Sequence, residues 1–139
     1  MSDPFNLDRF LKAQDPLFED VRAELRRGCK EGHWMWFVFP QLKGLGSSWM
    51  AQKFGISSRA EAEAYLAHPI LGSRLTECTR LVNLVDGHSI EEIFGAVDTL
   101  KFRSSITLFA QVAGDASVFT DALRKYFGGR PDQLTLGRL

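Results

Sequence analysis

Three features of the sequence predict an all-α fold, a compact single domain of several helices packed around an aromatic-rich core. Helix caps and helix stops recur along the chain. Leu71, Leu75, Cys78, Val82 and Val85 repeat at alternating four- and three-residue spacing, which puts one continuous apolar stripe on a helix. Trp34 to Phe39 has strand propensity, but no other run alternates apolar and polar residues, and an isolated strand is not stable.

Each element has a local reason. Asp15 can cap a helix that opens with Pro16, where the missing N–H costs nothing. Phe18, Val21 and Leu25 carry that helix toward Gly28, a residue suited to a left-handed stop. The segment Trp34 to Phe39 is then a short helix or an extended strut through the core. The GLGSS turn from Gly44 to Ser48 is expected to deliver Trp49 to the core. It lacks the lysine and the length of a phosphate-binding loop. Ser58 with Glu61 forms a capping box, and the helix it starts must stop at His68, because a residue before proline avoids helical geometry. The Leu71–Val85 stripe follows. Ser89 with Glu92 caps a short helix that Gly95 ends, and Asp98 is expected to cap a longer one on which Phe102, Ile106, Phe109 and Ala113 share a face. Ser117 starts a last helix closed by Gly128 and Gly129, and the tail from Arg130 has no clear period.

Composition excludes several function classes. Hydrophobic residues make up 45% of the 139 positions, enough to offset the entropy of ordering the chain. Seventeen basic residues balance seventeen acidic ones, which argues against a nucleic-acid partner. The longest apolar run, Trp34 to Phe39, is far short of a membrane span. Cys29 and Cys78 are too few and too far apart for a disulfide framework or a zinc site, and free thiols suit a reducing, cytoplasmic setting. No metal spacing, cofactor motif, carboxylate pair or serine triad stands out.

Several motifs together resemble one family: HWMWFVFPQL (His33 to Leu42), GLGSS (Gly44 to Ser48), AYLAHPILGSRL (Ala64 to Leu75) and IFGAVDTLKFRSSITLF (Ile93 to Phe109). On these residues the chain is identified as a member of the small bacterial and fungal domain-of-unknown-function family 1810, often labelled "calpastatin". The resemblance implies a compact all-α domain and supplies no activity. It runs nearly the whole chain, with Gly32 where members often carry Ser or Thr and Ile106 where they often carry Met. The label does not suit the chain. Calpastatin resembles a disordered, repetitive inhibitor, whereas this sequence is apolar and has no repeats.

The candidate site residues sit at the ends of apolar segments or within them. Lys30, His33 and Gln41 bracket the aromatic block: Lys30 could neutralise an anion, His33 could move a proton near neutral pH, and Trp34 or Trp36 could stack on a planar group. The plainer and favoured reading has His33 bonded to a backbone carbonyl at a core edge and Lys30 solvated. His68 lies near the start of the following helix with Arg74 a turn further on, an arrangement for anion binding or for simple capping. Asp98, Lys101 and Ser105 share a helix face with Ser104 alongside; serines inside an apolar helix either let helices pack closely or line a polar cleft. The sharpest expectation is that His33, His68, Arg74, Asp98, Lys101 and Ser105 line one cleft beside a Trp face. That cleft would bind or process an anionic, phosphorylated or nucleotide-like small molecule, with His33 and Asp98 as the candidate catalytic pair. The alternative is a non-catalytic protein-interaction module in which the aromatic block is core.

Overall fold

The computed structural model describes residues 2–139, and its elements are helices. They are α1 (Asp8–Gln14), α2 (Phe18–Arg27), α3 (Met35–Val38), α4 (Trp49–Lys53), α5 (Arg59–Ala67), α6 (Leu71–Leu84), α7 (Ile90–Ala113), α8 (Val118–Phe127) and α9 (Gln133–Arg138). The only strand-like pairing among the described residues is an isolated parallel bridge between Leu42 and Ile56. Helix α7 is the axis of the fold and packs against α3, α5, α8 and α9, while α6 packs against α2, α5 and α8.

Local signals account for most helix ends. The side chains of Ser58, Ser89 and Ser117 each accept a bond from the backbone N–H three residues on, and at Ser89 the reciprocal Glu92 bond completes the box. Gly28 and Gly128 stop α2 and α8 in the left-handed region. The expected stripe on α6 is buried from Leu71 to Val85. Gly95, at φ 81 and ψ 166, breaks α7 into a short and a long segment, and only glycine takes that conformation without strain.

Four expectations need correction. Asp15 ends α1 rather than starting α2, which begins two residues after Pro16. Trp49 is 69% exposed; the glycine turn leaves it outside the core, with the Lys53 ammonium 5.0 Å from its ring. Asp98 does not cap a helix but sits in the first turn after the Gly95 break. The tail does carry a helix, α9, which Asp132 caps by accepting from the Thr135 N–H.

The aromatic block builds the core by dividing it. The short helix α3 places Phe37 and Phe39 in two different chains of rings. Phe37 meets Phe54 at 5.3 Å, and Phe54, Phe10, Tyr65, Phe109 and Phe119 continue the first chain. Phe39 meets Phe102 at 5.1 Å and Phe94 at 5.9 Å in the second, which Trp34 joins at 6.2 Å. Both chains pass through α7, at Phe109 and Phe102, and these edge and tilted contacts add to the area they bury. Trp36 is the one aromatic of the block that is only partly buried.

Two buried polar groups hold this block. Glu24, 8% exposed on α2, accepts through one carboxylate oxygen from the Glu31 N–H (2.7 Å), the Gly32 N–H (2.8 Å) and the Trp34 indole (3.0 Å). Burial pushes its carboxyl up, but these donors outweigh that effect and hold it below the ordinary glutamate value. Gln14, 2% exposed, donates to the Phe37 carbonyl at 2.6 Å and to the Tyr65 hydroxyl at 3.1 Å.

Truncating Phe109 to Ala is expected to cost about 3–5 kcal/mol, and Phe37 to Ala a similar amount, measured by urea unfolding. A loss below about 1 kcal/mol would contradict their burial. Glu24→Gln should cost about 1.5–3 kcal/mol at neutral pH, as expected for hydrogen bonds to a charged group. Because the folded carboxyl titrates lower than the unfolded one, its contribution is complete above about pH 4.5 and is lost as pH falls through the folded value. The stability gap between wild type and variant should therefore close in acid; a gap independent of pH would refute the role of the charge.

Candidate functional site

The structure divides the expected site into one cluster and several separate groups. The cluster forms where the turn before α3 meets the long segment of α7. Lys30, whose side chain is 7% exposed, places its ammonium 2.8 Å from Asp98 Oδ2, donates to the Gly32 carbonyl and lies 5.0 Å from the Trp34 ring. Lys101 approaches the other oxygen of the same carboxylate at 3.8 Å and covers the Trp36 ring at 4.5 Å. Asp98 thus carries two ammonium groups on one carboxylate, while the Glu24 carboxylate is bonded to the Trp34 indole in the same turn.

Gln41 belongs to this place as well. Trp36, Gln41 and Lys101 share a small cavity with Met35, Phe39, Ala51 and Phe54. Its free volume is about 10 Å³, close to the room one water needs. A ligand the size of a nucleotide must therefore sit on the outer side of Trp36 and Lys101, unless α4, which supplies Ala51, moves. His33 is exposed next to this turn and makes no hydrogen bond among the described residues. Trp34, in contrast, is 1% exposed with its indole N–H spent on Glu24, so it offers no face for stacking.

The remaining candidates have structural employment elsewhere. Arg74 reaches Asp15 at 2.8 Å and Gln14 at 3.3 Å and stacks on Phe18, bracing the α1–α2 junction. His68 accepts through Nδ1 from the Ile70 and Leu71 N–H groups, so the ring itself occupies the helix start that an anion would have used. It borders an open groove of about 750 Å³ between the start of α6 and the start of α8. Ser104 bonds the Leu100 carbonyl and the Asp132 carboxylate, and Thr107 accepts from the Asp132 N–H; together they dock α9 onto α7. Ser105 is fully buried, and its hydroxyl has no partner among the described residues. The single cleft expected from the sequence is not formed: His68 and Arg74 lie outside the cluster, because their partners come from the neighbouring helix junctions, and Ser105 is buried.

The chemistry of the cluster is charge presentation. Both Asp98 oxygens face ammonium groups, which suits the carboxylate to holding the lysines in place. Cys78 can supply no thiolate, since burial pushes its thiol up to about 12. Among the described residues no three His, Cys, Asp or Glu side chains are grouped to hold a metal, and no helix is long and apolar enough to cross a membrane.

Residue order alone conceals Glu24 and Gln14, the two groups that position the cluster. Glu24 stands within the otherwise basic stretch from Arg22 to Lys30, which is its one sign in the sequence; Gln14 leaves none.

The structure is similar to the crystal structure of the conserved hypothetical protein Rv1873 from Mycobacterium tuberculosis. The TM-score is 0.96 and the sequence identity 59%, with 99% of this chain and 98% of that chain covered. No curated protein matches the sequence. The family described as protein of unknown function DUF1810 matches residues 4–139, and the chain belongs to it.

Proposed function

We propose that the protein binds an anionic, phosphorylated or nucleotide-like small molecule at the outer face of Trp36 and Lys101. One observation carries this reading: Lys30 takes the carboxylate of Asp98 at 2.8 Å and leaves Lys101 only a loose contact at 3.8 Å, so the Lys101 ammonium is available over the partly buried Trp36 indole. A phosphate would take the ammonium of Lys101, and a planar base would pack on Trp36. Gln41 would add a neutral donor at the same edge. A cytoplasmic location belongs to this reading, supported by the free thiols of Cys29 and Cys78.

A second reading, a protein-interaction module, has its own support. Val97 and Leu100, neighbours on one face of α7, are 68% and 67% exposed, an apolar pair turned to solvent.

Titration of nucleotides and sugar phosphates by calorimetry tests the first reading. Lys101→Ala is expected to weaken binding by about 1.5–3 kcal/mol, the range for hydrogen bonds to charged groups. His68→Ala should leave the affinity unchanged, because that ring caps a helix elsewhere. If turnover accompanies binding, His33→Ala should lower kcat by about 10²–10⁴-fold with little change in affinity. Equal affinity of wild type and Lys101→Ala would end the proposal. Val97→Ser with Leu100→Ser should abolish partner association, and leave nucleotide binding intact, only if the second reading holds.

A further inference from the structure

Overall neutrality conceals a segregation of charge. Three adjoining hollows, of about 300, 490 and 580 Å³, run in sequence along one side of the molecule. Arg9 and Lys53 border both the first and the second, and Lys43 with Ser57 borders both the second and the third. Lys12 lies at one end of this groove, and Arg59 and Arg138 lie at the other. Six basic side chains therefore face two acidic ones, Asp8 and Glu61.

The acidic groups do not neutralise the groove. Glu61 is spent on Arg9 at 2.9 Å, where both side chains are nearly buried, and Asp8 holds Lys12 at 3.1 Å. Arg59 reaches Glu63 at 3.7 Å. Lys43, Lys53 and Arg138 have no carboxylate within ion-pair distance among the described residues, and they follow one another along the groove: Lys53 at the first and second hollows, Lys43 at the second and third, Arg138 at the third. At its edge Trp49 is 69% exposed on α4, with Lys53 5.0 Å from its ring. A tryptophan that exposed gains nothing from the fold.

We propose that this groove binds single-stranded nucleic acid, with Lys43, Lys53 and Arg138 following the phosphates and Trp49 stacking on an unpaired base. A row of separated free cations in an open groove suits an extended polyanion better than a compact ligand, which would need them to converge. The exposed indole distinguishes a single strand from a duplex, because the faces of paired bases are already stacked. Phe54 separates this groove from the Trp36–Lys101 cluster and borders both, but none of the four side chains assigned to the strand belongs to that cluster, so the proposal stands or falls separately from it. It revises the expectation drawn from total charge, which says nothing about how charge is distributed over the surface.

Fluorescence anisotropy with a labelled oligothymidylate of about 15 nucleotides tests it. Affinity should fall with salt, with a log–log slope of about −2 for three neutralised phosphates, and Lys43→Ala should make that slope shallower by about 0.7. Trp49→Ala should weaken binding about tenfold, the scale of one lost base stack. An abasic oligomer of equal charge should bind wild type about tenfold more weakly than oligothymidylate, and Trp49→Ala should remove that difference. Lys101→Ala should change none of these values, so failure here is separable from failure of the small-molecule site. Absence of binding at low salt would overturn the proposal. Equal affinity for the abasic strand, equal affinity for a duplex, or a mononucleotide that binds as tightly as the oligomer would do so too.

Discussion

The fold depends on how a helix of four residues, α3, is kept in place. A single turn has no stability of its own, because nucleation costs more than so few hydrogen bonds return. It persists here because both of its ends are tied from outside. Glu24 gathers the backbone and the indole at its start, and Gln14 takes the Phe37 carbonyl at its end. Between these ties the rings point to both sides and join two aromatic chains that meet again on α7. Arg74 belongs to the same arrangement, since it holds Gln14 and Asp15. A residue chosen from sequence as an anion ligand is thus a brace for the core.

The same turn brings Lys30 to Asp98. A buried ammonium is costly unless paired at good geometry, and the pairing needs Asp98 at a particular height on α7. The Gly95 break sets that height: it restarts the helix so that Asp98 falls in its first turn, where the helix dipole favours a carboxylate. Lys101, one turn later, meets the same carboxylate while its ammonium lies over the Trp36 ring. The cluster is therefore a consequence of a kink in one helix and a clamp on another. Lys101 is only loosely paired because one carboxylate serves two lysines.

Local chemistry was readable. Ser58, Ser89 and Ser117 cap helices, Gly28 and Gly128 end them, and the Leu71–Val85 stripe is buried, because each of these effects is decided within four residues of chain. The membership of Lys30, Trp36, Gln41, Asp98 and Lys101 in one neighbourhood was partly readable, through the polar edges of the aromatic block and the shared face of α7. Their pairing was not. Asp98 looked like a cap because Asp favours that position, and only the approach of Lys30 from another segment gives it a different partner. Trp49 looked like core because it is apolar and large, yet its burial depends on whether α4 turns it inward.

The sequence by itself determined the helical class, most helix boundaries and the apolar faces that make the core, because propensity, capping and periodicity act over short stretches of chain. Tertiary structure decided which polar residues have partners. Arg74 is satisfied by a residue nearly sixty positions earlier and Lys30 by one nearly seventy later, whereas Lys43, Lys53 and Arg138 meet no carboxylate among the described residues and share one open groove. A charge is spent or left available only when distant segments meet, and that geometry is not written in the spacing of residues along the chain.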